Sequence, residues 1–95
     1  KINNLKNIIF AYEPVWSIGT NVIPKNQDLK NTILFIKSFL SRNFKSKKHK
    51  VLYGGSVNEK NIENLCQIKE LDGYLIGGSS LNSNKFIDII KKTFN

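Results

Sequence analysis

Glu13 is the first residue of the sequence whose type and surroundings suggest chemistry. It is the only carboxylate before Asp28, and it stands between Tyr12 and Pro14. Because a proline disfavours helical geometry in the residue before it, Glu13 should continue an extended segment. A carboxylate there could act as a general base if a lid excluded water and raised its basicity. From its position alone, a surface carboxylate that caps a loop is an equally good interpretation.

Two glycine pairs followed by serine supply a second kind of chemistry, in the stretches YGGS (53–56) and IGGSS (76–80). Paired glycines let a ligand approach the backbone closely. Backbone N–H groups near the start of a helix favour a phosphate. One such pair usually marks only a turn, but two pairs at equivalent places indicate a phosphate site.

Short apolar runs, each closed by a turn signal, must position these residues. NIIFAY (7–12), KVLYGG (50–55) and DGYLIGG (72–78) are nearly continuous apolar segments, which is typical of strands buried in a parallel sheet. Helical spacing follows each run. We expect the first helix to start near Pro24 and the second to be capped by Asn58. The apolar faces of the three helices are Leu29, Ile33, Ile36 and Leu40; Ile62, Leu65 and Cys66; and Phe86, Ile89, Ile90 and Phe94.

The order β-α-β-α-β-α predicts an α/β fold with parallel strands joined by right-handed crossovers. Either part of a doubly wound sheet or part of a (β/α)8 barrel satisfies that order. A barrel takes about 250 residues, so three units in 95 residues approximate three-eighths of one. In both folds chemistry gathers at the carboxyl ends of the strands, where Glu13 and both glycine pairs would meet.

The composition limits the kinds of binding partner and the cellular location that the sequence indicates. The formal charge is +8, but Arg42 is the only arginine, and abundant Lys, Asn and Ile are typical of an AT-biased coding sequence. The basic cluster at residues 45–50 has no interleaved aromatic side chains for stacking bases, so a nucleic-acid partner is the less favoured interpretation. No apolar stretch approaches the length of a membrane span. The single cysteine, Cys66, is expected to be a packed thiol, and we expect a cytoplasmic location.

In their order and spacing, AYEPVWSIGT, YGGSV and DGYLIGGSSL resemble the C-terminal three-eighths of the triose-phosphate isomerase family, over essentially the whole chain. The resemblance implies that residues 1–95 are units six to eight of a (β/α)8 barrel. It implies interconversion of dihydroxyacetone phosphate and glyceraldehyde 3-phosphate through an enediolate, a step of glycolysis and gluconeogenesis. It implies a homodimer for the complete enzyme, and neither a metal nor an organic cofactor.

Each functional position follows from the same resemblance. Glu13 would be the catalytic base, and Tyr53 would latch a mobile lid that follows it. The residues expected to bind the substrate phosphate are Gly19, Ser56, Gly77 and Gly78. The remaining lid residues are Pro14, Val15, Trp16, Ile18 and Thr20.

Three lid positions depart from the family pattern. Asn21 stands where glycine is usual, although asparagine tolerates left-handed geometry better than other residues with a side chain. Val22 replaces a lysine or similar polar residue, and Ser17 replaces a common alanine. We expect these changes to affect the movement of the lid more than the chemistry.

The lysine and the histidine that polarise the substrate in this family would precede Lys1. His49 lies at the amino end of its strand, away from the site, where we expect a structural or a solvated side chain. The sequence contains no methionine, which suggests a segment of something longer or a processed start. We therefore expect the 95 residues alone to be inactive and poorly folded. The alternative is a truncated, non-catalytic product with at most weak phosphate binding.

Overall fold

The computed structural model describes residues 8–44 and 49–94, which alternate strands and helices. The strands are β1 (Ile9–Tyr12), β2 (Lys50–Tyr53) and β3 (Gly73–Tyr74). The helices are α1 (Asn26–Asn43), α2 (Ile62–Leu65) and α3 (Ser83–Thr93). Two 3-10 turns, Val15–Ser17 and Gly78–Leu81, follow β1 and β3.

The three strands form one parallel sheet in the order β1-β2-β3. Tyr12 is in register with Tyr53, and Tyr53 with Tyr74, so the three carboxyl ends lie at the same edge. This result confirms the predicted α/β class with parallel strands. The hydrogen bond from the N–H of Leu75 to Tyr53, 2.9 Å long, continues the ladder beyond the two residues of β3.

The core lies between the sheet and the helices. Ten apolar side chains are buried in it: Leu29, Ile33, Leu40, Val51, Tyr53, Val57, Ile62, Leu65, Ile68 and Ile89. Leu29, Ile33 and Leu40 are on the face of α1 that the spacing predicts, and Ile36 is half-buried beside them. Burying an aliphatic side chain of this size stabilises a fold by about 1.5–3 kcal/mol.

The helix starts differ from the predicted ones. Helix α1 begins at Asn26 after Lys25, so Pro24 lies in the preceding loop. Helix α2 begins after Asn61, not at Asn58. The Asn58 carboxamide instead accepts the N–H groups of Lys60 and Asn61, both at 2.9 Å, and so shapes the turn that leads into α2.

The third predicted apolar face is only partly buried. Ile89 is buried, whereas Phe86, Ile90 and Phe94 are exposed and line an apolar groove of about 370 Å³ beside β3. The predicted strand at residues 72–78 is reduced to two residues in β3, which has a neighbour on one side only within the described chain.

A polar network closes the amino end of the sheet. Asp72 accepts the N–H of Val51 at 2.8 Å and pairs with the ammonium of Lys37 at 3.0 Å. Lys37 also donates to the carbonyl of Glu70 at 2.6 Å, which ties α1 to the loop before β3. His49 is buried here against the edge of Phe10, so it is packed rather than solvated. No helix in the two described ranges is both long and apolar enough to cross a membrane.

Candidate functional site

The carboxyl edge of the sheet opens into a cleft of about 660 Å³. Of the residues singled out from the sequence, the cleft brings together Glu13, Ile18, Gly19, Ser56, Gly77 and Gly78. Pro14, Val15, Trp16, Thr20 and Tyr53 do not line it. They lie in the loop that follows β1, or beneath that loop.

Glu13 follows the last residue of β1, and its carboxylate lies over the end of β2. Pro14 is buried in extended geometry (φ −62°, ψ 128°) and starts the 3-10 turn Val15–Ser17, so the chain leaves the sheet immediately behind the carboxylate. Gly54 makes room for it: a Cβ added there would lie 2.6 Å from Glu13 Oε2 and 2.8 Å from its Cγ. The absence of a side chain at Gly54 is therefore a steric condition for this position of Glu13.

Residues 14–22, which we call the lid segment, are organised by short-range hydrogen bonds. The Thr20 hydroxyl is 3.0 Å from the Trp16 carbonyl and accepts the N–H of Val22 at 3.2 Å. Gly19 and Asn21 have positive φ angles of 69° and 61°. Asn21 thus adopts the left-handed conformation that its replacement of glycine requires.

Ser17 joins the lid segment to β2. Its side chain is fully buried, and its Oγ is 2.9 Å from the hydroxyl of Tyr53 and also bonds the carbonyl of Val22. Burial raises the pKa of the Tyr53 phenol and outweighs the hydrogen bond to Ser17, which lowers it. Tyr53 is therefore a neutral phenol at physiological pH and can donate a hydrogen bond.

Ser56 provides a second connection between the lid segment and the loop after β2. Its hydroxyl donates to the carbonyl of Ser17 and accepts the N–H of Asn21 at 3.0 Å. These bonds accompany a positive φ of 55° at Ser56, and the Asn61 carboxamide holds the Ser56 carbonyl at 2.8 Å. Because a hydroxyl has one hydrogen, Ser56 can offer its hydroxyl hydrogen to a ligand only by releasing Ser17.

Gly77 and Gly78 face open space at the other wall of the cleft. A Cβ added at either would meet no atom within 4 Å, so no contact inside the described structure requires glycine. Backbone that is this accessible, at the start of the turn Gly78–Leu81, can approach an anionic ligand through its N–H groups.

Sequence reasoning missed the hydrogen-bonding roles of Ser17 and Asn61. The pair Asn58 and Asn61, three residues apart after YGGSV, is a recognisable signal for a side-chain-stabilised turn. Ser17 carries no comparable signal, because its two partners are five and thirty-six residues away.

Comparison with known proteins gives one consistent result. The family model described as "Triosephosphate isomerase" matches residues 1–93. A triosephosphate isomerase from Ruthia magnifica is 46% identical over 92 residues, which are 95% of this chain and 37% of that protein. Those from Neurospora crassa and Dictyostelium discoideum are 41% and 44% identical over 95% and 88% of this chain. The chain spans 37% and 34% of those two relatives.

Proposed function

Because the chain belongs to the triosephosphate isomerase family, we propose that the protein to which these residues belong interconverts dihydroxyacetone phosphate and glyceraldehyde 3-phosphate. The observation that supports this proposal best is the cleft itself. One carboxylate, Glu13, lines it together with two glycine loops, and a loop segment starts directly behind that carboxylate. A base in the same cleft as a phosphate site is the arrangement that proton transfer on a triose phosphate needs.

In this proposal Glu13 removes a proton from one of the two adjacent carbons and returns it to the other. The substrate phosphate lies against the backbone N–H groups of Gly19, Gly77 and Gly78. Ser56 contributes its backbone N–H, since its hydroxyl hydrogen is engaged with Ser17. These contacts to the phosphate hold the two reacting carbons beside the Glu13 carboxylate. Positioning of that kind accounts for a large part of catalytic acceleration.

The enediolate also needs electrostatic stabilisation by groups that the 95 residues do not supply. The chain spans about a third of its relatives, so the activity is proposed for the whole protein. A homodimer is likewise proposed for the whole protein, and its mass in sedimentation experiments tests that point. The cytoplasmic location stays a prediction from the sequence.

The Glu13→Gln variant of the whole protein tests the role of Glu13. Removing a positioned general base should lower kcat about 10²–10⁴-fold, with little change in KM, because the amide keeps the size of the carboxylate but cannot take the proton. A coupled assay of glyceraldehyde 3-phosphate formation measures both constants.

Glu63→Gln is the matched control, since Glu63 is exposed on α2 and does not line the cleft. Its kcat should equal that of the unmodified protein. A Glu13→Gln variant that keeps more than about a tenth of the original kcat would show that another group is the base.

A further inference from the structure

We propose that Ser17 is a positioning residue for the lid segment. Its hydroxyl fastens the segment to β2, and its carbonyl fastens it to the loop after β2. This inference rests on the proposed function for its effect on turnover, but its structural part is independent of it. Ser17 is one of the three lid positions that depart from the family pattern, and it is the one that is completely buried.

The donors and acceptors around Ser17 have only one consistent assignment. The Val22 carbonyl can only accept, so the single hydroxyl hydrogen of Ser17 points to it. The Tyr53 hydroxyl must then donate to Ser17 Oγ across the 2.9 Å between them. The result is a directed chain from Tyr53 through Ser17 to Val22, and hydrogen bonds in such chains strengthen one another.

The Ser17 carbonyl accepts the last bond of a second hydrogen-bond chain, which runs from Asn21 back to Ser17. Asn21 N–H donates to Ser56 Oγ, which donates in turn to the Ser17 carbonyl. Both chains therefore fasten the end of the lid segment, Asn21 and Val22, to Ser17. Ile18, Gly19 and Asn21 line the cleft that Glu13 also lines.

The close packing at Gly55 supports a specific role for the hydrogen-bond chain through Ser17. A Cβ at this position would lie 2.5 Å from the Tyr53 hydroxyl and 2.6 Å from Ser17 Oγ. The loop after β2 thus passes so close to the pair of hydroxyls that only glycine fits there. Because both hydroxyls are buried, loss of the Ser17 hydroxyl would leave the Tyr53 hydroxyl without a hydrogen-bond partner among the described residues, whereas Ser17 without Tyr53 would keep its bond to Val22.

The experiment is a double-mutant cycle in the whole protein with Ser17→Ala, Tyr53→Phe and the double variant. Hydrogen exchange of the peptide that covers residues 14–22 reports the opening of the lid segment and needs no activity. Tyr53→Phe removes one buried hydrogen bond and should exchange about fivefold to tenfold faster. Ser17→Ala removes two and should exchange faster still, and the double variant should exchange no faster than Ser17→Ala. Ser41→Ala, an exposed serine on α1, should exchange like the original protein.

Steady-state kinetics separates positioning from a purely structural role. If Ser17→Ala lowers the populated fraction of the fastened lid, KM should rise in inverse proportion to that fraction. Unchanged exchange in Ser17→Ala, or effects of the two single variants that multiply in the double variant, would overturn the proposal. A whole protein that lacks isomerase activity would refute the proposed function instead, and the exchange measurement would still decide the role of Ser17.

Discussion

At the scale of single residues, the space beside a glycine is as informative as a contact. Gly54 leaves the volume that the Glu13 carboxylate occupies, whereas Gly77 borders only open cleft. Gly54 and Gly77 are each the first glycine of a Gly-Gly-Ser sequence, but the lack of a side chain has a different effect at the two positions. Gly54 accommodates the side chain of Glu13, and Gly77 leaves room for a ligand that enters the cleft.

Replacing Gly54 with alanine should displace Glu13. The added Cβ would lie 2.6 Å from Oε2, closer than real Cβ contacts allow, so the carboxylate must move. In the proposed role of Glu13 as the base, a shift of about 1 Å can cost about 10²-fold in rate, so kcat of the whole protein should fall by roughly that factor while KM changes little. The isomerase assay measures this, and a crystal structure of the variant shows the displacement.

Gly77→Ala is the comparison variant, because its Cβ meets no protein atom within 4 Å. Its effect should appear in KM rather than kcat, as expected for a wall of the proposed phosphate site. An unaltered kcat in Gly54→Ala would mean that Glu13 adjusts freely and that the position described here is not required for turnover.

How far the sequence predicts the site depends on the residue. Glu13 could be placed because Pro14 and the preceding apolar run restrict the local backbone, and those are local effects. The neutral state of Tyr53 and the position of Ser17 could not, since both depend on burial and on a partner far along the chain. The sequence around a small polar residue does not show which group it will hydrogen-bond, because that partner can come from a distant part of the chain.

At the scale of secondary-structure elements, α1 is held against the rest of the fold by two kinds of contact. Apolar side chains along one face of α1 contribute to the core, and Lys37 adds the ionic contact with Asp72. Burial raises the pKa of the Asp72 carboxyl, but the Val51 N–H and Lys37 outweigh it and hold the pKa below its usual 3.8. The charged form of Asp72 is therefore the one that the fold favours.

This pKa shift has a definite sign in stability. A carboxyl group whose pKa is lower in the folded state stabilises the fold above its unfolded pKa, and the contribution is lost as pH falls through the folded pKa. The free energy of unfolding of the whole protein should therefore decline below about pH 4, and part of the decline should vanish in Asp72→Asn. Urea denaturation from neutral pH to about pH 3 measures this.

Two further variants make the test specific. Asp72→Ala also removes the acceptor of the Val51 N–H and should cost about 1–3 kcal/mol at neutral pH, more than Asp72→Asn. Asp88→Asn breaks only the exposed pair with Lys92 on α3 and should cost less than about 0.5 kcal/mol. If the free energy of unfolding of the Asp72→Asn variant depends on pH as that of the original protein does, the charge on Asp72 does not stabilise the fold.

Elements were predictable where local pattern and tertiary burial agree. The spacing of apolar residues identified the buried face of α1 because a long helix repeats its pattern several times. The extent of β3 and the start of α2 were not predictable in the same way. Strand pairing depends on neighbours, and Asn58 caps a turn instead of the helix itself.

At the scale of the whole molecule, large apolar side chains remain on the surface of the described residues. Leu81, Phe94 and Phe35 are 90%, 83% and 67% exposed, and the groove beside β3 is apolar as well. Strands β1 and β3 each have one neighbour in the sheet that is described. Exposed apolar patches and open strand edges of this kind promote association.

The 95 residues expressed by themselves should therefore associate or fold poorly. We expect early elution in size-exclusion chromatography, strong binding of the dye ANS and no cooperative thermal transition. A soluble monomer that unfolds cooperatively would contradict this expectation. The whole protein under the same conditions is the control.

The close approach of Gly55 to the hydroxyls of Tyr53 and Ser17 also restricts how this protein can evolve. A lineage cannot gain a side chain at position 55 while both hydroxyls remain, because the intermediate sequence would contain a steric clash. Loss of the Ser17 hydroxyl alone leaves the Tyr53 hydroxyl without a described partner, whereas loss of the Tyr53 hydroxyl leaves Ser17 bonded to Val22. Among descendants of this sequence, a side chain at position 55 should accordingly appear only after both hydroxyls have been lost.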